Sequence, residues 1–341
     1  MLRAMDAAVA GLRAHQNKMD VVGHNIANVN TFGFKAQTYT FKEAMYQTST
    51  SSTGGTNDAA GTNSAQFGYG ALMGTIGMDM TASTPTYVGG FNATISGDGF
   101  FMVKSTKNEY GNEDVKGADF YYTRVGQFSL DSNGYVVDGD KNFVYGYMPN
   151  KDGTIDTTKL VPLRMPTGYK EAEYNPDGSI KTPAEVTYDW ENADTDPLMS
   201  KEITINSAGE IMVKCEYEKT VKEQDPNKPN DPTATIDVVK KNTATISLGK
   251  VAIATFQNPN GLSKAGGNYY TTTNGDNAGN VSPGIAGGAN PDLMTGYVEA
   301  SNVDLAKEFS DMITTHRGFQ SNTKMITVSD EMLSDLVSMK R

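Results

Sequence analysis

Helical spacing marks both ends of the chain. Leu2, Met5, Val9, Leu12, Met19 and Ile26 fall at steps of three and four, with Gln16 in one vacancy and Val22 beside another. This predicts one amphipathic helix to about Ala27, ~39 Å long. The run Asn28-Val29-Asn30-Thr31-Phe32-Gly33 then supplies residues that tolerate left-handed backbone and stops it. Near the other end Leu305, Met312, Phe319, Ile326 and Leu333 recur at sevens, with Phe309 and Val337 on a neighbouring row. Ser301 and Asp304 have capping-box spacing, so a helix of about 38 residues, ~57 Å, is predicted to run to the last residue. His316, Thr323 and Asp330 interrupt that neighbouring row and keep the stripe narrow.

Between these helices the period falls to two, punctuated by Gly, Asn and Asp, which predicts strands and hairpins. The plainest hairpin turns at Asn133-Gly134, between Gln127-Phe128-Ser129-Leu130 and Tyr135-Val136-Val137. Asn150-Lys151-Asp152-Gly153 and Asn175-Pro176-Asp177-Gly178 read as two more turns. Residues 47–66 hold no Leu, Ile, Val, Met or aromatic residue and one charge, Asp58, so they are expected to form a flexible linker. Pro226, Pro229 and Pro232 mark a surface loop over Lys222 to Thr233, and glycine-rich Asn258 to Asp292 a long loop-dominated return. If the terminal helices pack together, the β domains between them are nested, each entered by one strand and left by another. The helical stripes allow packing within one molecule, on the β core, or between molecules. Two features lean toward assembly: the last helix has no polar tail, and a ~57 Å stripe outruns a ~39 Å partner.

Candidate chemistry is sparse. His15, His24 and His316 all lie in the predicted helices, where a polar-face or interface position is the plainer reading than catalysis. Cys215 sits in the alternating stretch Ile211 to Tyr217 and reads as a half-buried structural thiol, and one cysteine excludes a disulfide framework. Asp131-x-Asn133-Gly134 and Asn150-x-Asp152-Gly153-x-x-Asp156 echo calcium loops but lack the ordered acids and closing Glu. Gly68-x-Gly70-x-x-x-Gly74 misses the dinucleotide fingerprint. The reading is therefore no enzyme, no metal and no cofactor.

Charge narrows the partners. Lys and Arg total 29 against 40 Asp and Glu, a formal balance of -11, which lacks the cationic surplus that binds nucleic acid or anionic membrane. No stretch approaches ~20 apolar residues, so no membrane insertion is expected. Asp6, Arg13 and His15 break up any cleaved-signal core, so the chain is expected to be cytosolic or to leave the cell by another route. Residues 171–240 carry sixteen acids and seven bases, whereas residues 1–30 carry two acids and three bases.

Four stretches resemble the axial proteins of the bacterial flagellum. They are His24 to Lys35, with Asn-x-x-Thr-x-Gly-Phe-Lys from Asn28; Ile95 to Val103 followed by Tyr122 to Phe128; Gly249 to Leu262 with Gly266 to Tyr270; and Gly296 to Leu305 running on through Met312 to Asn322 and Asp330 to Leu333. The last resembles the hook branch of this rod and hook family. The resemblance implies a mainly β fold with long N- and C-terminal α-helices that pair as a coiled coil, around nested (inserted) β domains. The implied plan is residues 1–30 plus 301–341 as the helical domain, 31–70 as a connecting linker, 71–145 plus 241–300 as an inner β domain, and 146–240 as a variable outer β domain.

It further implies a hook subunit polymerising into a helical tube that transmits torque. Its partners would be copies of itself, the rod, the hook cap, the hook-filament junction proteins and the type III export apparatus, on the cell exterior without a cleaved signal. The packing residues would be Leu2, Met5, Val9, Leu12, Met19 and Ile26 against Leu305, Phe309, Met312, Phe319, Ile326 and Leu333. The family-motif positions would be Asn25, Asn28, Thr31, Gly33, Phe34, Lys35, Ser301 and Asn302. Segment 47–66 sits where the distal rod protein carries an insert, which keeps a rod subunit as the alternative.

Overall fold

The computed structural model describes residues 2–339 apart from 56–59, 116–117, 151–153, 175–179, 183, 192–194, 199, 225–234, 274 and 289. The chain divides into two compact units, Met1–Thr81 with Ser301–Arg341, and Ala82–Ala300.

In the helical unit α1 spans Leu2–Ala27 and α2 spans Leu305–Ser338. The first ends where the Asn-rich run begins. The second is shorter than the sequence pattern suggests, 34 residues or ~51 Å. Its cap also differs. Asp304 itself is the N-cap, its carboxylate accepting from the backbone N–H of Ala306 and Lys307 at 2.9 and 3.3 Å. Ser301 stands before the helix, where its hydroxyl accepts from Val303 N at 3.4 Å. An acidic side chain both caps the first turn and suits the positive end of the helix dipole, which explains why Asp304 displaces the expected Ser301 cap.

Where a linker over 31–70 was expected, the chain forms strands. β1 (Gln37–Glu43) pairs antiparallel with β4 (Ala71–Met78), and β2 (Tyr46–Thr50) with β3 (Ala65–Gly68). A Thr53–Thr62 bridge carries the second ladder outward, its hydroxyls 2.7 Å apart. The segment lacks core-forming residues, as read, and β2 and β3 are exposed throughout. Its many threonines, however, are β-branched and bond across strands, which sustains a ladder without a core.

The β unit is built on one large antiparallel sheet. Along its main path lie Ser129–Leu130, Val136–Val137, Phe143–Tyr147, Thr235–Phe256, Phe100–Lys104, Tyr121–Thr123, Tyr269–Thr271 and Ser263–Gly266. The Asn133-Gly134 hairpin forms as read, Gly134 having φ +80° and donating to Asp131 O. The Asn150 turn closes through Asn150 N–H donating to Thr154 O at 2.8 Å, though residues 151–153 lie outside the described residues, as do the Asn175 turn and Pro226, Pro229 and Pro232. The glycine-rich return is more ordered than expected, carrying Ser263–Gly266, Tyr269–Thr271 and Val281–Ile285.

Residues 82–300 form one unit, without a break between the expected inner and outer β domains. The reason is Thr235–Phe256, which pairs with Glu210–Gln224 along its first part and with Phe100–Phe101 near its end. Phe101, Val103, Val144, Leu163, Ile211, Val213, Leu248, Val251 and Ile253 are fully buried and belong to one core. Cys215 is buried in it, and burial pushes its thiol up to about 11, an unreactive structural thiol.

Candidate assembly site

The seam between α1 and α2 is antiparallel. Asn25 meets Glu308, Lys18 pairs with Asp311 at 3.3 Å, the His15 ring lies over Gly318, and Gly11 faces Asn322. Ala8, Gly11, His15, Lys18, Val22 and Asn25 step along α1 by three and four. On α2 the buried row is Glu308, Thr315 and Ser329, with half-buried Asn322 between. Small residues let the two backbones approach: a Cβ on Gly318 would lie 2.6 Å from the His15 ring, and one on Gly11 2.8 Å from the Asn322 amide.

The residues expected to pack against one another border this row, interleaved with it at steps of three and four. Met5, Leu12, Met19, Ile26, Met312, Phe319, Ile326 and Leu333 flank the seam half-buried, while Val9, Leu305 and Phe309 are exposed. The Leu2 side chain lies outside the described residues. A search for large apolar residues missed the small and polar row. Its signal was the heptad Glu308-Thr315-Asn322-Ser329.

The family-motif residues converge on one junction where α1 ends and α2 begins. Asn25 is buried; its amide donates to Gln37 O at 2.8 Å and to Glu308 Oε1 at 3.1 Å, and its oxygen accepts from Gln37 N at 2.9 Å. One side chain thus ties α1, β1 and α2. Asn28 caps the end of α1, donating to His24 O and accepting from Thr31 Oγ1. Gly33 takes φ +68°, the left-handed turn that brings Phe34 and Lys35 inward. Phe34 is buried with its ring 5.3 Å from that of His24, and buried Lys35 donates to Thr81 O at 2.6 Å. Asn302 completes the clamp, accepting from Ala36 N at 2.7 Å and donating to Asp79 O at 2.8 Å.

Two titratable groups in the seam are perturbed in opposite senses. Burial, aided by Asp311, raises the Glu308 carboxyl above its ordinary value despite the Asn25 bond and the nearby Lys307 and Lys18. Burial, then Lys18, holds the His15 imidazole below its ordinary value. Because the folded carboxyl of Glu308 is raised, its contribution is fully present below about 4.5 and lost as pH rises through the folded value. Glu308→Gln keeps an oxygen facing Asn25 and removes the buried charge. It is expected to raise the Tm of the helical signal at pH 7 and flatten its fall above pH 4.5, read by circular dichroism melts; a lower Tm at pH 7 contradicts this.

The surface of this unit is unusual. Of twenty-two large hydrophobic side chains exposed among the described residues, eighteen belong to the helical unit, though it holds little more than a third of the chain. They include Phe309, Ile313, Met332, Leu336 and Val337 on α2, and Phe41, Phe67, Leu72 and Ile76 on the strands. A groove of about 380 Å³ lined by Val9, Ala10, Leu72 and Met73 adjoins them. No group of three or more metal-ligating side chains occurs among the described residues, and no described helix is long and apolar enough to cross a membrane.

Three family profiles match the chain in order. They are the flagella basal body rod protein over residues 5–35, the flagellar hook protein FlgE/F/G D1 domain over 94–213, and the flagellar basal body rod FlgEFG protein C-terminal over 294–339. The chain is 32% identical to the flagellar basal-body rod protein FlgG of Bacillus subtilis, covering 100% of both chains, and 27% identical to the flagellar hook protein FlgE of Borreliella burgdorferi, again over 100% of both. The crystal structure of Helicobacter pylori flagellar hook protein FlgE2 aligns with a TM-score of 0.33 and 14% identity, covering 64% of this chain and 100% of that one. The chain belongs to the flagellar hook and basal-body rod protein family, structural components of the flagellum.

Proposed function

We propose that this chain is the hook subunit, polymerising into the flexible tube that carries torque from rod to filament. What carries the reading is the concentration of exposed apolar side chains on the helical unit, a surface that only neighbouring copies at high local density would cover. In this account the flanking rows Met5, Leu12, Met19, Ile26, Met312, Phe319, Ile326 and Leu333, with Val9, Leu305 and Phe309, are subunit contacts. The terminal helices line the tube as a coiled coil, and the β unit, nested between them in sequence, faces outward. The acid-rich stretch 171–240 then falls at large radius, where like charges repeated along a polymer are furthest apart and best screened. The chain passes unfolded through the type III export apparatus to the cell exterior and meets the rod, the hook cap and the hook-filament junction proteins.

A second reading, a distal rod subunit, is favoured by the β2–β3 arm and by the Bacillus relative. Against it stand the Glu299 to Leu305 lead into α2 and the long inserted β segment. Electron microscopy of a deletion strain separates them. The expected result is basal bodies with finished rods and no hooks; truncated rods would favour the second reading.

A further inference from the structure

We propose that the pocket of the β unit walled by Tyr188 and Trp190 is a binding site for a neutral saccharide. The pocket encloses about 300 Å³, at the small end of the range for ligand sites. Its floor is apolar, formed by buried Met148 and Val161. The aromatic wall is held from behind. Fully buried Arg164 donates to Asp189 O and, at 2.7 Å, to Thr195 O; buried Tyr135 donates through Oη to Trp190 O at 2.7 Å; and Tyr188 Oη donates to Ser247 O at 2.5 Å. Arg164 is itself stacked on the Tyr135 ring, 4.9 Å from its centroid. A wall fixed by buried bonds loses little entropy when a ligand docks on it.

The rim selects among ligand classes. Glu109 and Lys159 form an ion pair at 2.7 Å, and Asp156 and Asn150 stand beside it. Asp156 already accepts from Thr158 N and Oγ1 at 3.0 and 2.6 Å. Donors and acceptors therefore stand side by side on the rim with a net of one negative charge, the wrong sign for an anion and, with Lys159 present, too little for a strong cation. A purely apolar ligand would strip water from these charged and polar groups and offer them no hydrogen bond in return. Sugar hydroxyls both donate and accept, while the C–H face of a pyranose stacks on an aromatic ring.

Trp190 is the one tryptophan of the chain, so tryptophan emission reports on this pocket alone. The full chain would be titrated with glucose, N-acetylglucosamine and tri-N-acetylchitotriose, and with arginine and glucuronate as charged probes. The expected result is a saturable emission change with the neutral sugars, half-complete at roughly millimolar concentration. A response to the trisaccharide at lower concentration than to either monosaccharide would identify a glycan strand as the source, and equal responses a free sugar. Glu109→Gln and Asp156→Asn should each weaken binding about fivefold, because a rim hydrogen bond loses its charge assistance. Saturation-transfer NMR on the unmodified protein should show contact with sugar ring protons whatever the variants do. No saturable change, an unaltered response in both variants, a response only to arginine or glucuronate, or no saturation transfer overturns the proposal.

Discussion

A fragment of residues 82–300 will fold and remain monomeric at concentrations where the full chain forms tubes. Its β unit has a core of its own, with Phe101, Val103, Val213, Leu248 and Val251 fully buried and belonging to this segment. Burial at roughly 1.5–3 kcal/mol per large apolar side chain makes such a core self-sufficient. The buried Arg124–Glu299 pair, 3.6 Å apart, also closes within the fragment, with Arg124 Nη1 donating to Gly97 O at 2.7 Å. What the fragment lacks is the surface on which eighteen of the twenty-two exposed large hydrophobics lie. Sedimentation and electron microscopy should find no polymer. Tubes formed by the fragment alone would place the subunit contacts in the β unit.

Asn25→Ala is expected to be the most damaging single change in the helical unit. It deletes both bonds to Gln37 and the bond to Glu308, leaving a raised carboxyl buried without its amide donor. Unsatisfied buried groups cost about 1–3 kcal/mol each, so a loss of about 3 kcal/mol or more is expected, large beside the total stability of a small unit. Asn28→Ala removes bonds at a half-buried helix end and should cost about 1 kcal/mol. The helical circular dichroism signal should melt earlier in the first variant while the β unit is unchanged. Equal effects from the two variants would mean that Asn25 is no keystone.

Much of this was legible from residue pattern. The end of α1, the Asn133-Gly134 turn and the mainly β centre follow from periodicity and turn chemistry. The motif residues were also visible, but their role was not, because Asn25, Asn302 and Lys35 act across sequence separations of 12, 266 and 46 residues. The small and polar half of the seam went unseen for a physical reason. Hydrophobic periodicity finds large side chains, whereas closely packed helices meet through small ones, here Ala8, Gly11, Thr315 and Gly318. Segment 47–66 was misread in the opposite sense, since a lack of core residues argues against burial but leaves threonine-rich strands free to pair with each other.

Hydrogen–deuterium exchange of monomer and assembled tube tests directly whether the helical unit is the part that copies cover. New protection is expected in 2–27, 37–78 and 305–338 on assembly, with the core strands of 82–300 unchanged; protection gained mainly within 82–300, with both helices exchanging as in the monomer, would contradict it.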